Sequence, residues 1–285
     1  MRQSGLNHEW KAGRVAPRAP GWDVECGARG ATRPTLKPSA AARRRFLARE
    51  GAPLLFADWE QLVMLHFEID PRLLQRAIPF ELDLFEGRAF VSLVTFTMRR
   101  MRLARGGCLA RWLCAPLAEQ RFLNVRTYVR HGEETGIHFI TEWISNGLCV
   151  PFGPLTYGLP YRWGRLRFGT AEDGSVRGRV EPRFGRAAFD YQARPVAGVW
   201  SFGECEPGTL AAFLVERYTG FTRRGSRRRL FRIWHEPWRM AEAKAEWTDD
   251  SLLRQYLSWW GETRFVGANY SPGAFNIWMG RPRSG

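Results

Sequence analysis

Lysine is nearly missing from this chain. Lys11, Lys37 and Lys244 are the only three, so 40 of the 43 cationic side chains among 285 residues are arginine. A skew of that kind reflects a GC-rich codon supply more readily than selection for phosphate contacts. The five cysteines (Cys26, Cys108, Cys114, Cys149, Cys205) are odd in number and contain no CxxC pair, which removes a disulfide framework and a zinc knuckle. The five histidines form no HExxH or HxH motif, so no metal site is expected, and nothing in the chain implies a cofactor. No apolar run reaches the roughly 18 residues of a membrane span. The N-terminus has no apolar core followed by a small-residue cleavage site, so the expected location is cytoplasmic, with no membrane partner.

What is present is ample core material: 45% hydrophobic residues, with 13 Trp and 19 Phe. Length alone allows one large domain or two small ones. The net charge of +15 divides into +7 on residues 1–50 and +8 on the rest, which is basic but unexceptional. Residues 1–45 are rich in Gly, Pro, Ala and Arg without apolar periodicity. They are expected to be a disordered leader, or the product of an upstream start codon, because such a segment cannot repay the entropy of ordering. Residues 46–285 show no internal repeat and no boundary, and are expected to form a single domain.

That domain reads as α+β and mostly antiparallel. Strands are expected at 61–69, 80–85, 88–99, 121–130, 137–145, 161–168, 176–181 and 230–238. Gly132–Gly136 and Glu172–Gly174 supply turns for two hairpins. Short helices are expected at 72–78, behind Pro71, at 207–218, where Leu210, Phe213, Leu214 and Tyr218 form one stripe, and at 251–259.

The first hairpin holds the most suggestive chemistry. Strand side chains alternate between faces, so Leu123, Val125, Thr127 and Val129 take one side, and Asn124, Arg126, Tyr128 and Arg130 the other. The bland interpretation is a core face and a solvated face. The functional one is a row able to hold an anion or carbonyl, since Arg offers a bidentate fork and Tyr a hydroxyl. A five-residue turn would set Arg126 opposite Glu142, Arg130 opposite His138 and Tyr128 opposite Ile140. The Arg126–Glu142 pair would then be either a cross-strand ion pair or an oriented carboxylate in a pocket. The Gly- and Pro-dense run 153–164 breaks regular structure just before the next strand, as loops lining sites often do, though a tight packed crossover would look the same.

Three segments carry a resemblance: Phe122-Leu-Asn-Val-Arg-Thr-Tyr-Val129, Gly158-Leu-Pro-Tyr161 and His235-Glu-Pro-Trp238. In order and spacing, across residues 45–282, they resemble the YqjF-like family of uncharacterised bacterial proteins, domain of unknown function 2071. That family belongs to the acetoacetate decarboxylase-like superfamily. The resemblance implies a barrel-like, mostly antiparallel sheet with a central cavity and flanking helices, and predicts that the Asn124/Arg126/Tyr128 face points inward. The superfamily's enzyme forms a Schiff base through a lysine in a Gly-Phe-Pro-Lys-Lys motif. Here Gly158-Leu159-Pro160-Tyr161-Arg162 stands in its place, and no lysine occurs between Lys37 and Lys244. An imine needs a neutral primary amine, which neither Tyr161 nor Arg162 can supply. Any catalysis would be acid–base or electrostatic, through Tyr161, Arg126 and Glu142.

The leading expectation is a protein that binds a small organic acid or carbonyl compound, with Arg126 and Arg162 as anion anchors and Asn124, Tyr128 and Tyr161 as hydrogen-bond partners. The alternatives are a lysine-independent lyase or hydratase-type enzyme with Glu142 as base, and a nucleic-acid or anionic-surface binder using the leader and the cluster Arg223, Arg224, Arg227, Arg228 and Arg229. Nucleic acid is the weaker partner, since a charge run is more commonly a solvated tip. Oligomerisation is left open.

Overall fold

The computed structural model describes residues 37–107, 112 and 114–284. Most of the leader therefore lies outside the described residues. Its expected end at residue 45 is corrected, because Pro38–Glu50 form helix α1. Pro38 suits the first turn. Ser39, Ala42 and Phe46 recur on one buried stripe, and the Phe46 ring meets Trp278 edge-on at 5.7 Å. Arg43 lies over Trp234 and Trp278, and Ser39 Oγ donates to the His235 carbonyl at 2.8 Å. Tertiary contacts, not local periodicity, order this segment.

Thirteen strands follow among the described residues: β1 Leu55–Ile69, β2 Glu81–Leu82, β3 Ala89–Leu103, β4 Gln120–His131, β5 Glu134–Ile144, β6 Tyr161–Thr170, β7 Val176–Pro182, β8 Phe189–Pro195, β9 Thr219–Arg224, β10 Arg227–Trp234, β11 Ala241–Asp249, β12 Arg264–Met279 and β13 Arg283–Ser284. Four further short helices punctuate them: α2 Pro71–Ala77, α3 Phe152–Thr156, α4 Leu210–Val215 and α5 Ser251–Tyr256. In α2, Asp70 caps the first turn by accepting from the backbone N–H of Arg72 at 2.6 Å. No helix among the described residues is long and apolar enough to cross a membrane.

All thirteen strands belong to one sheet, in the order β13-β10-β9-β5-β6-β7-β8-β11-β12-β1-β3-β4-β2, with extra pairings β5–β4 and β10–β12. The extra pairings make it ring-like. One circuit runs from β5 through β6, β7, β8, β11, β12, β1, β3 and β4 back to β5. The other leaves β5 through β9 and β10 and rejoins at β12. Strands β12, β1, β3, β4 and β5 are common to both circuits and are covered on both sides. Their alternation accordingly separates two apolar cores. Val63, Leu65, Leu93, Leu123, Val125 and Trp143 belong to the first; Leu62, Met64, Val94, Phe96, Tyr128 and Phe139 belong to the second.

Two glycines permit this closure. A Cβ on Gly136 would lie 2.2 Å from the Thr219 carbonyl oxygen, where β9 runs parallel beside β5, and one on Gly273 would lie 2.2 Å from that of Trp59. The expected Gly132–Gly136 turn is corrected to a two-residue turn at Gly132-Glu133, because His131 pairs with Glu134. Gly132, with φ of 61°, supplies the left-handed conformation such a turn requires.

Candidate functional site

Turn length and one bulge decide who faces whom on the hairpin. From His131 back to Arg126 the register is continuous. A shift between Val125 and Arg126 then leaves Ile140 unopposed. Arg126 consequently faces Phe139 rather than Glu142, Tyr128 faces Ile137 rather than Ile140, and Arg130 faces Thr135 rather than His138. Glu142 lies across from Asn124 on one side and Tyr161 on the other. The expected Arg126–Glu142 ion pair is therefore absent. Arg130 is not part of the row either: it is exposed at the hairpin end and pairs with Glu81.

Asn124, Arg126 and Tyr128 do share one face, and that face is buried in the second core. Asn124 and Arg126 are each only 6% exposed. Arg126 Nη2 donates to the Leu214 carbonyl at 3.1 Å and lies 3.7 Å from Met64 Sδ. Its Nε has no partner among the described residues, and neither does Asn124 Oδ1. A buried guanidinium met only by a carbonyl and a thioether is expensive. The Tyr128 hydroxyl also donates to the Leu214 carbonyl, at 2.9 Å, and lies 2.6 Å from Ser92 Oγ. A buried polar chain continues through His66, whose Nδ1 is 2.7 Å from Ser92 Oγ and whose Nε2 is 3.1 Å from Asn269 Oδ1. Burial first, and then the Arg126 charge, hold His66 down to a pKa of about 3.

Arg217, which the sequence did not single out, completes the arrangement. The expected helix 207–218 is shorter, Leu210–Val215, and the chain turns out of it so that Arg217 folds back. Its Nε donates to the Phe213 carbonyl at 2.7 Å, its Nη1 pairs with Asp83 at 2.7 Å, and its Nη2 is buried without a partner. The guanidinium stacks 4.0 Å from the Phe213 ring centre and 5.1 Å from that of Tyr128. Burial pulls Arg217 below the ordinary guanidinium range against the opposing pull of Asp83, and Arg126 adds to the lowering. An arginine two residues past a short helix carries no sequence signature, so only a search for buried cations could have found it.

These groups surround a small internal cavity of about 20 Å³, lined by Asn124, Arg126, Arg217 and His235 among apolar side chains that include Trp59, Phe139 and Trp238. That is room for about one water molecule, or for one oxygen of a larger group. A groove of about 510 Å³ also has Arg217 in its lining.

Glu142 and Tyr161 follow Asn124 across the sheet on the same face. Glu142 is 2% exposed, and its Oε2 has no partner among the described residues. Burial pushes its carboxyl well above the usual carboxylate range, which favours the protonated form. The same cause, reinforced by Glu142, raises the Tyr161 phenol well above its ordinary value. Arg162 is corrected. Successive strand residues face opposite ways, so Arg162 leaves the Tyr161 side. It is exposed, donates to Thr141 Oγ1 at 3.0 Å and stacks on Tyr256, away from Arg126. Lys244 is exposed on β11 opposite Arg194.

The arginine cluster forms the tip of the β9–β10 hairpin, where Arg227 pairs with Arg224 and Arg228 with Arg223. Arg224 and Arg229 are used internally, donating to the carbonyls of Leu155 and Thr156 at the end of α3. Among the described residues no three His, Cys, Asp or Glu side chains cluster as metal ligands.

Solved structures share this architecture. An acetoacetate decarboxylase-like enzyme from Sphingomonas wittichii RW1 superposes with a TM-score of 0.54 at 15% identity, covering 81% of this chain and 94% of that one. Acetoacetate decarboxylase from Legionella pneumophila gives 0.55 at 14% identity, over 82% and 88%. The enduracididine biosynthesis enzyme MppR complexed with pyruvate gives 0.54 at 12% identity, over 82% and 91%. At such identities the likeness establishes the fold. In sequence, the uncharacterized protein YqjF of Bacillus subtilis (strain 168) is 27% identical over 203 residues, 69% of this chain and 79% of YqjF. Residues 57–259 match DUF2071, described as an uncharacterized conserved protein, and the chain belongs to that family.

Proposed function

We propose that the protein binds a small organic acid or carbonyl compound, with its anionic or carbonyl group held at Arg126 and Arg217 and with Asn124 and Tyr128 as neighbouring hydrogen-bonding groups. One observation carries this reading. Arg126 is buried, has no carboxylate partner among the described residues and keeps an unpartnered Nε, while Arg217 on the same cavity wall keeps an unpartnered Nη2. Glu216 makes no ion pair with either among the described residues; its oxygens accept from the Trp238 backbone N–H and the Tyr218 hydroxyl. A ligand oxygen accepting from both guanidiniums would recover the desolvation cost. The pyruvate complex of the structurally similar MppR is consistent with an organic acid. Arg162 falls outside this proposal because it is exposed and does not line the cavity.

Thermal-shift titration with pyruvate, acetate and acetoacetate is the direct test, since a ligand that binds only the folded state raises the melting temperature. Wild type should be stabilised, and Arg126→Met should lose that response while melting at or slightly above the wild-type temperature. The gain follows because methionine needs no desolvation as a charge, and no carboxylate is orphaned. An Arg126→Met protein that melts lower and still responds to ligand would make Arg126 structural.

A catalytic role would fall to Glu142. Burial raises its pKa, which favours the protonated form and a proton-donor role over that of a base. Turnover lost in Glu142→Gln with ligand binding retained is the result that distinguishes an enzyme from a binder.

A further inference from the structure

The internal cavity and the outer groove have one lining residue in common, Arg217. Resting on the anion-site reading above, we propose that the ligand is a monocarboxylate with an extended apolar body: its head at the Arg217–Arg126 wall, its body in the groove. The internal cavity, at about 20 Å³, has room for no more than one oxygen of the head group. The groove, at about 510 Å³, falls in the range that encloses whole small molecules.

The groove's walls suit such a body. Leu84, Phe85, Pro207, Ala212, Phe213 and Pro237 line it. Phe85 and Phe213 lie 5.3 Å apart as a tilted pair, and Arg217 stacks on Phe213, so the apolar floor leads straight to the guanidinium. Leu84 is 41% exposed, an apolar side chain left to water at the groove. Glu204 is paired with Lys37 and Asp83 with Arg217, while the Glu216 carboxylate accepts from two neutral donors, the Tyr218 hydroxyl and the Trp238 backbone N–H. Among these lining charges, Arg217 Nη2 is the buried charged donor without a partner. The groove therefore presents an unpartnered guanidinium N–H, a donor for an anion, at one end of an apolar trough.

Isothermal titration of the full chain with acetate, butanoate, hexanoate and octanoate, and with pyruvate and 1-octanol beside them, tests the assignment. Each added methylene that enters the groove should tighten binding about fourfold. Octanoate should bind at least about a hundredfold more tightly than acetate and at least about tenfold more tightly than 1-octanol. Leu84→Glu, which places a carboxylate on an exposed part of the wall, should lower the octanoate-to-acetate affinity ratio at least tenfold. Pyruvate or acetate binding as tightly as octanoate would overturn the extended-body assignment and leave the anion site standing. Equal binding of octanol and octanoate would show that the head is not held as an anion. Failure of every acid to bind would remove the anion-site reading itself.

Discussion

The two faces of β4 are built from the same strand and buried to the same depth, yet they differ in kind. Leu123, Val125 and Val129 face the first core, where the Tyr191 hydroxyl is met by Thr95 and Trp143 Nε1 is a buried polar atom without a partner among the described residues. Gln120, Asn124, Arg126 and Tyr128 face the second, where Gln120 Oε1, Asn124 Oδ1 and Arg126 Nε have no partners among the described residues. Across the shared wall that second face also carries His66, Ser92 and Glu142, all buried. A buried polar group without a partner costs about 1–3 kcal/mol. The second face thus sacrifices more stability than the first to keep hydrogen-bonding capacity inside the protein. The contrast teaches that alternation in a doubly covered strand can separate scaffold from site, rather than core from solvent.

Acid should expose this difference most strongly. His66 has a folded pKa of about 3 against about 6.5 unfolded, so below pH 6.5 the unfolded chain takes up a proton that the native protein refuses. Stability should fall as pH drops through this window, by about 5 kcal/mol in all from this one group. Urea denaturation at stepped pH should show that slope, and His66→Gln should flatten it. A slope unchanged in the variant would place the acid sensitivity elsewhere.

On the first face, Leu123→Ala should cost about 2–5 kcal/mol in the same assay, with the ligand-induced rise in melting temperature unaltered. A loss of ligand response alone would dissolve the division between scaffold and site.

Glu142 has the opposite pH sign. Its raised pKa makes the native protein hold a proton that the unfolded chain releases above about pH 4.3. Stability should therefore decline with rising pH by about 1.4 kcal/mol per unit until native Glu142 ionises. Glu142→Gln should equal wild type near pH 4 and exceed it increasingly above. Should the variant be less stable at pH 8, Glu142 would be a partnered carboxylate and not a buried acid.

The smallest effect belongs to Arg162. Exposed and stacked on Tyr256, it should change stability by only about 0.5 kcal/mol on Arg162→Ala and leave carboxylate affinity alone. A tenfold loss of affinity would return it to the site.

Much of the scaffold was legible before any coordinates. The alternation of Leu123–Val129, the Glu172–Gly174 turn and the stripe around Leu210 and Phe213 correspond to β4, the β6–β7 connection and α4. Other elements were hidden for definable reasons. Ala241–Asp249 begins Ala-Glu-Ala-Lys-Ala-Glu, which favours helix, but it is a strand because β8 and β12 lie on either side of it. The long strand β12 is interrupted by Gly267, Pro272 and Gly273, which read as loop until β1 is seen pressing against Gly273. His66 and Arg217 gave no local signal, since each gains its role from residues far along the chain.

By itself the sequence determined that Asn124, Arg126 and Tyr128 share a face, because a two-residue period is a property of extended backbone. It also excluded Schiff-base chemistry from 38–243, because the required amine is absent there. Only the tertiary structure decided that the polar face is enclosed, that Arg126 meets Phe139 and not Glu142, and that Arg217 lines both cavity and groove. Those outcomes depend on a bulge and on circuits closed between strands more than a hundred residues apart, and no local pattern of residues encodes such distant pairings.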